Sequence, residues 1–165
     1  ILSRGDVVVT ERSKLVGRYI GETERNVNEV LRRAQGNVLF IDEAYTLYDG
    51  ANDRKDFGMR VIEALLTVLA QPDPDMVVIL AGYEKEMYEM LKTNPGMEGR
   101  FPHKFNFPDY NACELNQIAL NLLEKCDYSL DNEAKSALYA EIEATVARKD
   151  HYFSNSRWIN NFVEN

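Results

Sequence analysis

The chain has 165 residues, enough for one domain of ordinary core size or one domain with a small appendage, and 45% hydrophobic against 28% charged residues is a globular balance. A formal charge of −8 without a basic stripe argues against a nucleic-acid surface, whose sequence-independent affinity needs clustered lysine and arginine. No apolar run reaches the roughly 20 residues of a membrane helix, no charged-then-apolar signal opens the chain, and Cys113 and Cys126 lack CxxC or His-flanked spacing, so no membrane contact, disulfide frame or zinc site is expected and the chain reads as cytoplasmic.

In chain order, Ile1 to Asp6 reads as the tail of a helix with a glycine stop, running straight into β-branched Val7 to Thr10, so the chain is expected to begin within a fold. Val27, Val30, Leu31 and Ala34 recur at i, i+3, i+4 and i+7 after Thr23, a candidate N-cap, and before Gly36, which predicts an amphipathic helix. Val38 to Ile41, four large apolar residues between a glycine and two acids, read as a short strand buried on both faces, the habit of a parallel sheet. Asp42 and Glu43 then sit at its carboxyl end. In open α/β sheets ligands bind at that edge, and two adjacent acids there suit a divalent metal and a polarised water. A plain core strand that ends in two acids has the same pattern, so the rest of the chain decides.

Tyr45 to Lys55 is polar and reads as a loop, and Phe57 to Leu69 is a second helix through Val61, Ile62, Leu65, Leu66 and Leu69, ended by Gln71-Pro72. Met76 to Leu80 is another buried strand, Glu84 to Leu91 a helix broken at Asn94-Pro95-Gly96, and Lys104 to Phe107 alternates as a last short strand. Strands and helices alternate to this point, which predicts a doubly wound parallel sheet. After Pro108-Asp109 only helices follow. Asn111 with Glu114 forms a capping-box pattern before Leu115, Ile118, Ala119, Leu122 and Leu123, and Asp131 caps a helix with Ala134, Leu138, Ile142 and Val146 facing inward. A final helix from about Ser156 carries Trp158, Ile159, Phe162 and Val163. The expected division is an α/β core over 1–109 and a small all-α domain over 110–165.

The ordered set Leu15-Val16-Gly17-Arg18-Tyr19-Ile20-Gly21-Glu22-Thr23, Val38 to Tyr45, Val77 to Tyr83, Asn94-Pro95-Gly96 with Arg100-Phe101, Phe107-Pro108-Asp109-Tyr110 and Phe153 to Arg157 resembles the AAA+ ATPases. Within them it is most similar to the branch of the red-type Rubisco activase, the stage V sporulation protein K and the type VII secretion ATPases. The resemblance implies a P-loop NTPase-like parallel sheet followed by an α-helical lid, ATP and Mg²⁺ as cofactors, and a homo-oligomeric ring, usually a hexamer, acting on a protein substrate. It places Asp42 at the metal through water and Glu43 at the water that attacks the γ-phosphate, chemistry that hard oxygens and an adjacent carboxylate suit. It makes Arg100 an arginine finger for the neighbouring subunit's nucleotide and Arg157 the lid's contact to the phosphates of its own subunit, both roles for a planar guanidinium. Glu98 stands where some relatives carry a second finger. Tyr83 falls near the position at which relatives place an asparagine, and a phenol can donate a hydrogen bond but cannot imitate an amide. Tyr19, Ile20 and Gly21 match the loop that lines the central pore, where an exposed aromatic grips an extended polypeptide.

No GxxxxGK[ST] occurs in the chain. That motif supplies the amides and lysine that cradle the phosphates, and the resemblance puts it, with its strand, just upstream, between the strands of Val77 to Leu80 and Lys104 to Phe107. The expectations are therefore an incomplete sheet with one open apolar face, a displaced Lys104 to Phe107, and no ATP hydrolysis by these residues alone. Two other functions fit parts of the pattern: a non-catalytic assembly or regulatory module of the same fold, and an AAA+ protein acting on DNA, which the charge disfavours.

Overall fold

Three short runs of valine, leucine, isoleucine and phenylalanine build the sheet, in a computed structural model that describes residues 2–19, 21–48, 57–93, 95–149 and 153–164. β1 (Val7–Thr10), β2 (Val38–Ile41) and β3 (Val77–Leu80) are parallel in the order β1-β2-β3, so β2 is central. The register aligns Val7 with Val38 and Val77, and Thr10 with Ile41 and Leu80. Side chains alternate along a strand, so Val8, Thr10, Leu39, Ile41, Val78 and Leu80 share one face and Val7, Val9, Val38, Phe40, Val77 and Ile79 the other.

Helices cover the first face. α2 (Glu22–Ala34) contributes Val27, Val30, Leu31 and Ala34 to the core, and α3 (Phe57–Leu69) contributes Val61, Ile62 and Leu65, packed with Leu39 and Ile41. The apolar spacing of each helix fixes which stripe turns inward. α1 (Arg12–Leu15), α4 (Glu84–Thr93) and α5 (Pro95–Glu98) close the same core with Leu15, Met90 and Met97. The second face is open: Val9 is 60% exposed, and Val7, Val77 and Ile79 are exposed with it. The expectation of burial on both faces is thus corrected, while the one open apolar face expected of an incomplete sheet is present. An apolar run shows what a strand tolerates, whereas burial needs an element packed on each side.

Other local expectations shift for equally local reasons. Lys104 to Phe107 forms no strand despite its alternation, in keeping with its expected displacement, and Phe107 is 89% exposed; among the described residues β3 bonds only to β2 and no ladder reaches residues 104–107. Residues 2–6 are not helical: Ser3 bonds the Asp75 carboxylate through its N–H (3.0 Å) and hydroxyl (2.7 Å), and the Arg4 and Gly5 amides both reach the Gly36 carbonyl at 2.9 Å. The helix from Glu84 ends at Thr93, as the break at Asn94-Pro95-Gly96 predicts, but Pro95 then opens α5, which suits a residue with no N–H to satisfy. Tyr45 begins no open loop, because Ala44–Leu47 is a 3₁₀ turn. The remainder of the expected loop, over 49–56, lies outside the described residues, as do Ile20 and Asn94.

The chain divides into two compact units, 1–105 and 106–165. The second unit packs α6 (Ala112–Lys125) against α7 (Asn132–Ala147) and α8 (Ser156–Glu164) around Leu115, Ala119, Ile142 and Ile159. Its helix starts follow the sequence pattern. Asn111 Oδ1 accepts from the Glu114 N–H (3.0 Å) while Glu114 Oε2 accepts from the Asn111 N–H (2.8 Å), a closed capping box. Asp131 Oδ1 accepts from the Ala134 N–H at 2.8 Å. No helix among the described residues is long and apolar enough to cross a membrane.

Leu39 and Ile142 are fully buried, one in each core. Replacing either with alanine should cost about 2–5 kcal/mol. Urea unfolding checks this, and for Ile142→Ala the fluorescence of Trp158, the only tryptophan, reports the loss directly.

Candidate functional site

The central strand delivers two acids into a turn that is held from both sides. β2 ends at Ile41, whose carbonyl accepts the Ala81 N–H at 2.9 Å, and the Ala81 carbonyl accepts the Ala44 N–H at 2.9 Å. The chain between, Asp42-Glu43, therefore leaves the sheet as a tight, exposed corner. Glu43 adopts φ 47°, in the left-handed region that costs a residue with a Cβ. Asp42 Oδ1 accepts the Glu43 N–H at 3.0 Å, and the Glu43 carbonyl receives both the Thr46 N–H (2.9 Å) and its hydroxyl (2.7 Å). Arg12 of α1 donates to the Thr46 carbonyl, tying the turn to the strand before it.

Tyr83 lies beside this corner, although not against the acids directly. Its ring is 5.9 Å from that of Tyr45, tilted by 47°. A Cβ on Gly82 would come 2.6 Å from Tyr45 Cδ1, so only glycine lets the chain after β3 pass this close. Burial, then the negative charge of Glu43, pushes the Tyr45 phenol up from its ordinary value. Tyr45 thus stays protonated at neutral pH and is a hydrogen-bond donor next to Glu43. It carried no role in the sequence reading, where it stood only as the last residue of the stretch Val38 to Tyr45; the signal was its position two residues beyond Glu43.

Neither carboxylate is enclosed. Among the described residues no group of three or more His, Cys, Asp and Glu side chains could cage a metal. Among the described residues no hydrogen bond reaches Asp42 Oδ2, and the Glu43 carboxylate is exposed with the Tyr45 phenol beside it. An exposed acid pair with open coordination sites fits Mg²⁺, which keeps most of its waters, better than it fits a dehydrated ion.

The Tyr19 loop is built with equal economy. Glu22, first residue of α2, turns its carboxylate back so that Oε2 accepts the N–H groups of Arg18 (2.7 Å) and Tyr19 (3.2 Å). Thr23, expected as an N-cap, instead accepts the Gly17 N–H at 2.9 Å, and the cap position belongs to Gly21 at φ 85°. The backbone is fixed while the Tyr19 side chain stays 76% exposed. The two amide bonds are also what hold the Glu22 carboxyl below its usual range. Glu22 carried no role in the sequence reading; an acid immediately after a glycine at a helix start was the available signal.

The two arginines belong to different compact units. Arg100 follows α5, with its guanidinium Nη1 on the Gly96 carbonyl at 3.0 Å and its exposed remainder free of any ion pair. No hydrogen bond joins it to Asp42 or Glu43. Arg157 is exposed in the first turn of α8, in the other compact unit, with its N–H on the Ser154 carbonyl at 3.0 Å.

Residues 3–109 match the ATPase family associated with various cellular activities (AAA), and residues 111–165 match the AAA lid domain. The chain is similar to protein CbbX of Cereibacter sphaeroides, 44% identical over 161 residues that cover 98% of this chain and 51% of that protein. It is 42% identical to the chloroplastic ribulose bisphosphate carboxylase/oxygenase activase of Cyanidioschyzon merolae, over 96% of this chain and 51% of the activase. Stage V sporulation protein K of Bacillus subtilis is 36% identical, over 99% and 51%. The chain spans about half the length of the curated relatives it matches.

The Glu22 anchor gives a pH-dependent loop. Since its carboxyl titrates below the ordinary value of 4.5, the anchor is fully present above that pH and is lost only as the pH falls through the lowered value of the folded loop. Glu22→Ala should speed amide exchange at Arg18 and Tyr19 roughly ten-fold at neutral pH, while Glu22→Gln, which keeps an acceptor oxygen, should change it little. Residue-resolved hydrogen exchange measures both.

Proposed function

The chain belongs to the family of ATPases associated with various cellular activities, and from that premise we propose that the protein carrying it is a cytoplasmic, ring-forming ATPase that hydrolyses ATP to remodel a protein substrate. In this reading residues 1–109 are the nucleotide-facing core and 110–165 the lid. The observation that carries it is the Asp42–Glu43 corner, held at the carboxyl end of the central parallel strand by main-chain bonds to Ala81.

Asp42, with Oδ1 on the Glu43 amide, would hold Mg²⁺ through water, and the ion would supply neutralisation of phosphate charge. Glu43 accepts the proton of the attacking water on its carboxylate, and Tyr45, kept protonated, helps orient that carboxylate or its water. Tyr83, packed on Tyr45, takes the place of the asparagine that relatives carry near the end of this strand. Arg100 serves the nucleotide of the next subunit in a hexameric ring, a role supported by its exposure and its lack of an acidic partner among the described residues. Arg157 contacts the phosphates of its own subunit from the lid. Tyr19, with Ile20 and Gly21, grips an extended polypeptide in the pore, supported by the rigid backbone under an exposed ring.

Glu43→Gln in the full-length protein should lower phosphate release by roughly 100-fold or more while ATP binding persists. Unchanged turnover would overturn the role given to Glu43, whereas absence of turnover in the unsubstituted full-length protein would favour the non-catalytic assembly module. The 165 residues alone, lacking GxxxxGK[ST], should release no phosphate from ATP.

A further inference from the structure

Three segments of the helical unit meet on one carboxylate. Asp109, ahead of α6, accepts on Oδ2 from Lys149 Nζ at 3.0 Å, just past the end of α7, and on Oδ1 from Asn155 Nδ2 at 2.7 Å, just before α8. Asn155 is the residue on which α8 is started: its carbonyl receives the N–H of Trp158 at 3.0 Å and of Ile159 at 3.3 Å. Its own backbone is in the left-handed region, φ 52°, which asparagine enters more readily than most residues but still against a steric cost. Its amide oxygen is buried without a partner, so among the described residues the bond to Asp109 is the side-chain hydrogen bond that orients it. Both bonds involve a full charge on Asp109 and one of them a second charge on Lys149, which makes them strong for their exposure. The same two partners hold the Asp109 carboxyl below its usual range.

We propose that Asp109 is a positioning residue for Arg157: by fixing Asn155 it sets the start and direction of α8, and with it the direction from which the guanidinium two residues later presents to a phosphate. This rests on the reading of Arg157 as a phosphate contact. Asp109 touches no nucleotide itself. It acts through the left-handed turn at Asn155, and Trp158, stacked on Phe162 (5.3 Å) and tilted against Phe153 (5.7 Å), moves with that turn.

The test uses the full-length protein with Asp109→Ala, Asp109→Asn, Arg157→Ala and the double variant Asp109→Ala/Arg157→Ala, with steady-state ATP hydrolysis and Trp158 emission in the absence of nucleotide. Asp109→Ala should raise KM for ATP roughly ten-fold, toward the value of Arg157→Ala, and the double variant should be no worse than Arg157→Ala alone. Asp109→Asn, which keeps an oxygen for Asn155, should recover most of the loss. Trp158 emission should shift in Asp109→Ala and not in Arg157→Ala. Multiplying effects in the double variant, or an unchanged KM in Asp109→Ala beside a raised one in Arg157→Ala, would overturn the proposal. An unchanged KM in Arg157→Ala overturns the reading of Arg157 instead, and Trp158 emission then decides alone whether Asp109 sets α8.

Discussion

Two main-chain hydrogen bonds, Ala81 N–H to Ile41 and Ala44 N–H to Ala81, each 2.9 Å, are what the candidate site depends on. They splice the ends of β2 and β3, so the chain between Ile41 and Ala44 has only enough length for a sharp exposed corner. That constraint puts Asp42 and Glu43 outside the core without letting them wander, and it accounts for the left-handed backbone at Glu43. The same splice brings the segment after β3 against Tyr45. Gly82 then becomes a packing requirement, and Tyr45 and Tyr83 become neighbours of the acids although neither is adjacent to them in the sheet.

The surroundings of Tyr19 and the two arginines, the groups to which the proposed reading gives roles, share a second logic, in which one anchoring bond nearby leaves most of the exposed side chain uncovered. Glu22 fastens Arg18 and Tyr19 from behind; Gly96 steadies one end of the Arg100 guanidinium; Asp109 fastens the turn before Arg157. Charged hydrogen bonds to backbone or to a single amide are well suited to this, because they fix geometry without covering the group that has to meet a ligand.

What the sequence made legible was whatever local chemistry decides. The three strands appear where β-branched and aliphatic runs stand, α2, α3, α6, α7 and α8 where apolar spacing is helical, and Asn111-Glu114 and Asp131 cap as their side chains predict. The acid pair at a strand end was legible for the same reason. What was not legible depends on atoms distant in sequence. A run such as Val77 to Leu80 does not say whether both its faces are covered, and Lys104 to Phe107 alternates like a strand without a ladder to join. Glu22 was quoted within a motif, but its carboxylate could have faced forward to cap the helix; the return to Arg18 and Tyr19 follows from the tight turn at Gly21. Asp109 and Asn155 are 46 residues apart and meet only through packing of the helical unit.

The open face of the sheet has a consequence for handling the molecule. Val7, Val9, Val38, Phe40, Val77 and Ile79 line up across three parallel strands by register, giving a flat greasy stripe, and β1 and β3 on either side of it each have an unpaired edge among the described strands. Collapse of the covered face does nothing to hide that stripe. Refolding of these residues by themselves therefore becomes a race between intramolecular closure and encounters between chains, so yield falls as concentration rises even though each core is well packed.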